Sequence, residues 1–76
     1  MNSFENMTLN SVYKQGERLL KQSGISDADF DSLYLLEHFF GADRTTLILH
    51  GDRIADEKLC ERFFGAIEER KTGKPL

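Results

Sequence analysis

Apolar side chains recur along this chain with the spacing of helices. Between Thr8 and Ser23, the positions Leu9, Val12, Tyr13, Gly16, Leu19 and Leu20 follow the i, i+3, i+4, i+7 pattern that places them on one helical face. Thr8 is a good N-cap type and Gly24 marks the end. Gly16 lies on the apolar stripe, where it weakens helix propensity but lets another backbone come close, so it reads as a packing notch. Ser26, Asp27 and Asp29 open a second helix, and its run from Ala28 to Phe40 holds Phe30, Leu33, Tyr34, Leu35, Leu36, Phe39 and Phe40. These residues cover more than one face, which predicts a central helix touched by neighbours on several sides. Gly41 ends it, Asp43 caps a short helix through Leu49, and His50 to Arg53 form a turn. The last helix runs from about Asp56 to Thr72, with Leu59, Phe63, Ala66, Ile67 and Arg70 on one face. Ile54 is placed to staple its start, and Ala55 would make a poor cap.

No segment alternates with a period of two over strand length, and Pro75 is the only proline. The pattern therefore predicts an all-α fold: a small bundle of about four helices, one of them short, joined by short glycine-containing connections. Residues 1–7 are expected as a disordered N-terminal tail, 8–72 as the helical domain and 73–76 as the start of a linker. Arg70 and Lys71 suit the negative end of a helix, Gly73 suits a left-handed C-terminal cap, and Pro75 stops the helix from resuming. Such punctuation is expected before further polypeptide.

Composition narrows the function. With 76 residues the chain is one domain, able to bury only about 60% of its unfolded surface. Hydrophobic residues at 39% and charged residues at 30% describe a globular domain, neither disordered nor membrane-spanning. The first residues form no export leader, and Cys60, the only cysteine, has no internal disulfide partner, so a cytoplasmic location is expected. Ten basic and thirteen acidic side chains are interspersed to a net charge of -3, which leaves no basic stripe for nucleic acid.

Enzymatic chemistry finds little support. His38 and His50 are the only histidines, and with Cys60 they lack the ligand number and spacing of a zinc site. Glu57 and Glu61 near Cys60 disfavour a thiolate, which suits an inert thiol. The glycines are scattered and follow no strand, so no phosphate-binding loop is present, and the pairs Asp27/Asp29 and Glu68/Glu69 read as helix-end and surface charge. No catalytic, cofactor-binding or metal residue is assigned. One short stretch is more pointed: Asp31, Ser32 and Leu33 look like the Asp-Ser-Leu of acyl carrier proteins, whose serine carries phosphopantetheine. Ser32, however, falls a turn inside its helix, and the basic residues nearly balance the acids.

A longer resemblance covers most of the chain. Asp31, Ser32, Leu35, Leu36, His38 and Gly41 read as the Asp-Ala-x-x-Leu-Leu-x-His-x-x-Gly helix of the N-terminal domain of HemK-type peptide-chain-release-factor glutamine methyltransferases. Arg44 and Leu47 resemble the short helix that follows, and Arg70, Gly73, Pro75 and Leu76 match the family's closing Arg-x-x-Gly-x-Pro-Leu. Ser32 in place of alanine and Glu37 in place of a small apolar residue are departures. The resemblance implies a parent enzyme that transfers a methyl group from S-adenosylmethionine to the glutamine of the Gly-Gly-Gln motif of translation release factors. The family's Asn-Pro-Pro-Tyr motif and glycine-rich cofactor loop have no counterpart here, so this chain is expected to be non-catalytic, to help dock the release factor and to pack against a catalytic domain. Lys14, Arg18, Arg44, His50 and Arg53 are the candidate contacts with that protein substrate. The isolated domain is expected to be a monomer. Two alternatives stay open at this point: a carrier protein modified on Ser32, and a helical interaction module of unrelated origin.

Overall fold

In the computed structural model, which describes Phe4 and residues 6–72, four helices follow one another: α1 (Leu9–Gln22), α2 (Ala28–Phe40), α3 (Arg44–His50) and α4 (Glu57–Lys71). The bundle is all-α, as the spacing predicts. Local chemistry sets its boundaries. The Thr8 hydroxyl accepts from the Ser11 amide, Asp43 caps α3 through the Thr46 amide, and Asp56 caps α4 by accepting from Lys58 and Leu59. Gly41 ends α2 at φ 66°, a left-handed conformation in which a side chain would be strained. Asp27 precedes α2 without a side-chain cap bond, and Asp29 and Asp31 place acidic charge in its first turn.

The start of α1 is completed by a distant part of the chain. Its first amides have no partners within the helix. Leu9 N–H donates to the Arg53 carbonyl (3.0 Å) and Asn10 N–H to the Gly51 carbonyl (2.9 Å), while Ala55 N–H donates back to Met7 (2.7 Å). Thr8 and Ile54 thereby form an isolated antiparallel bridge. Gly51 is buried, and a Cβ there would strike the Asn10 side chain and the Leu47 carbonyl.

The helices close over Val12, Leu20, Leu36, Cys60, Phe63 and Ile67, all fully buried. Phe63 is the centre of an aromatic group: its ring meets Phe64 edge-on at 5.0 Å and Phe40 at 6.2 Å. Gly16 is the notch that lets α1 approach. A Cβ on it would lie 2.7 Å from Ser32 Oγ and 2.8 Å from Phe63 Cζ.

Several expectations are revised. α1 packs on α2, α3 and α4, and α2 packs on both α1 and α4. Phe30 and Tyr34 of α2 face outward, 67% and 47% exposed, because so short a chain cannot surround an apolar helix on every side. Ile54 is exposed as well. With Asp56 as the N-cap, the staple positions fall on Ala55 and Cys60, and both are buried. The short helix extends one residue further than expected, to His50. Within the segment expected as a tail, Met7 and Phe4 pack against the core, and the Phe4 ring stacks on Phe64 at 5.1 Å. Gly73, Pro75 and the proposed linker lie outside the described residues.

Candidate functional site

Two neighbouring residues of α2 tie three helices together. Ser32 is fully buried and donates its hydroxyl to the Tyr13 carbonyl of α1 at 2.8 Å. Asp31 accepts from Arg70 Nε of α4 at 3.0 Å, with its side chain only 7% exposed against 25% for Arg70. A carboxylate so enclosed requires a cation, and Arg70 keeps its head near solvent while answering that need. Motif residues at opposite ends of the family resemblance thus meet in one ion pair, whose role is to hold the last turn of α4 on the start of α2. The same geometry corrects the carrier-protein alternative: the Ser32 hydroxyl is enclosed beneath Gly16 and engaged, where no phosphopantetheine arm could be attached without opening the bundle.

The remaining reactive side chains have structural settings. Cys60 is buried, and that burial, reinforced by the Asp56 and Glu57 carboxylates, pushes its thiol up from the ordinary value, the opposite of what a nucleophile needs. His38 is exposed and meets the Phe39 ring edge-on at 4.9 Å. Among the described residues, no group of three or more His, Cys, Asp or Glu could hold a metal ion. Nor is any helix among them long and apolar enough to cross a membrane.

All five candidate contact residues are exposed, and the fold divides them. Lys14 and Arg44 come together on the rim of an open groove of about 370 Å³ between α1, α2 and α3, lined also by Asn10, Tyr13, Leu33, Leu47 and Ile48. Neither cation has an ion-pair partner among the described residues, whereas Lys21 pairs with Glu17 and Lys71 with Glu68. Tyr13 lies at the α1 wall, its hydroxyl pushed up by burial first and then by the Glu17 and Asp29 carboxylates. Arg18 sits further along α1 on a polar surface that Lys14 also lines, with Glu17, Lys21 and Gln22. His50 ends α3 and Arg53 lies in the turn before α4; the Arg53 carbonyl serves the start of α1. Apolar spacing does not single out Tyr13, Leu33, Leu47 and Ile48 as a surface. The excess of apolar residues on α2 is the available sign that some remain outside.

Comparison with known proteins gives one match. Residues 11–76 fit the family model described as the PrmC N-terminal domain, from the first turn of α1 through all of α4. No curated protein and no solved structure matches the chain. The match takes in both residues of the Asp31–Arg70 pair, the Gly41 cap and the short third helix. The chain therefore belongs to the family of N-terminal helical domains of PrmC/HemK-type release-factor glutamine methyltransferases.

Proposed function

We propose that this chain is the non-catalytic helical domain of an S-adenosylmethionine-dependent methyltransferase acting on the Gly-Gly-Gln glutamine of translation release factors in the cytoplasm, and that it helps dock the release factor. The observation that carries this reading is the family match over residues 11–76. Chemistry at a single glutamine in a large protein substrate demands orientation, and contacts remote from the reacting atoms can supply it. A packed bundle that presents cations outside its core suits that task. The groove between α1, α2 and α3 holds two cations and no carboxylate, a poor match for a positively charged sulfonium, so no part of the transfer is assigned to it. The methyl donor and the residues that activate the amide belong to the catalytic domain of the parent enzyme.

The test is a titration of isotopically labelled domain with a Gly-Gly-Gln release factor, followed by heteronuclear NMR. Residue-specific shifts that saturate are expected. An unchanged spectrum at saturating partner would reduce the domain to an architectural role. Affinity of the isolated domain will be lower than that of the whole enzyme, because the benefit of linking two contact regions is lost.

A further inference from the structure

The groove between α1, α2 and α3 combines two cations with apolar side chains. The chain is acidic overall, yet this depression is lined by Lys14 and Arg44 and by no acid. Leu33, Leu47 and Ile48 line it as well, with Ile48 76% exposed. Leu33 shares a helical stripe with Phe30 and Tyr34, which extends the apolar strip along α2. A contiguous apolar strip with polar edges is the usual form of a protein-binding site.

Building on the docking reading, we propose that this groove is the docking site and that it takes an acidic segment of the protein substrate, one apolar side chain flanked by carboxylates. The apolar side chain rests on Leu33, Leu47 and Ile48. The carboxylates meet Lys14 from the α1 side and Arg44 from the α3 side. Two cations without ion-pair partners among the described residues, set with apolar side chains, are complementary to this segment, and a net charge of -3 opposes a nucleic-acid backbone or a lipid surface, each of which calls for a large basic field. Charge sets register and approach, and the apolar contact supplies most of the hold.

The experiment compares the wild-type domain with Ile48→Asp and with the double variant Lys14→Glu/Arg44→Glu, each titrated with a Gly-Gly-Gln release factor. Circular dichroism and amide dispersion check the fold; these side chains are exposed, and both readouts should match wild type. The expected result is amide shifts clustered on Tyr13, Lys14, Leu33, Arg44, Leu47 and Ile48, with about tenfold weaker binding for each folded variant. Added salt should weaken wild-type binding more than that of the charge-reversed variant. Unaltered binding by both variants, or shifts confined to another face, would overturn the groove assignment while leaving the docking reading intact. Concentration-dependent shifts at the groove without release factor would make a second copy its occupant and overturn the assignment. Absence of any wild-type binding would overturn both proposals.

Discussion

Replacing Gly16 and Gly65 with alanine, one at a time, tests the notch directly. Both glycines lie inside helices, so in both the new methyl group gains about 0.8–1.0 kcal/mol of helix propensity. Their surroundings differ. A Cβ at Gly65 meets nothing within 4 Å, whereas one at Gly16 meets Ser32 Oγ at 2.7 Å and Phe63 at 2.8 Å. Phe63 is fully buried and held by aromatic neighbours, and Ser32 Oγ is held by its bond to Tyr13, so neither yields readily. Overpacking of this kind costs about 1–3 kcal/mol, and displacing the Ser32 hydroxyl adds about 1 kcal/mol. After the propensity gain, Gly16→Ala should destabilise the domain by about 1–3 kcal/mol, and Gly65→Ala should stabilise it by about 0.5–1 kcal/mol. At ~4–8 °C per kcal/mol for a domain of this size, thermal melts should show Tm falling in the first variant and rising in the second. Adding Ser32→Ala to Gly16→Ala removes the nearer clash, so the double variant should lose about 1 kcal/mol less than the sum of the singles. A Gly16→Ala protein as stable as wild type, or strict additivity with Ser32→Ala, would refute the notch.

Other outcomes follow from the same contacts. Arg70→Ala leaves the enclosed Asp31 carboxylate without its cation and should cost about 1–3 kcal/mol by urea denaturation, while Lys71→Ala, which removes an exposed pair, should cost less than about 0.5 kcal/mol. Cys60 holds its proton in the folded state above the ordinary thiol value of 9.0, so its contribution to stability is complete below that pH and is lost as pH rises through the folded value. Denaturation midpoints should therefore fall above pH 9, with a shallower fall in Cys60→Ala. Asp43 is shifted the other way: the Thr46 amide, then the Thr46 hydroxyl, holds its carboxyl below the ordinary 3.8. Its contribution is present above pH 3.8 and lost as pH falls through the folded value, so the Thr46 amide signal should titrate with a midpoint below 3.8.

Most of this fold is legible in the sequence because its determinants are local. Apolar spacing, Thr8, Asp43 and Gly41 act within one or two turns, and the helices they predict are found within a residue or so of the expected ends. Gly16 is readable as a notch because a glycine on an apolar stripe gives up both helix propensity and buried area, a loss that the close approach of a neighbouring helix offsets. The long-range ties are harder to read. Arg70 falls on the apolar face of α4 and Asp31 on the buried side of α2; two opposite charges at core positions are the available hint that they meet. The pairing itself depends on how α4 crosses α2, which spacing does not set. The groove is hidden for the same reason. Lys14 and Arg44 are separated by 30 positions in sequence, and the turn that leads into α3 brings them to one rim.

The backbone bonds from Leu9 and Asn10 to the carbonyls of Arg53 and Gly51 also constrain the order of assembly. A nascent chain emerging from the ribosome can wind the middle of α1 early, but its opening turn lacks two acceptors until Gly51 and Arg53 have been synthesised. The first helix to be made is therefore among the last to be finished, its opening turn closing only after Gly51 and Arg53 are in place.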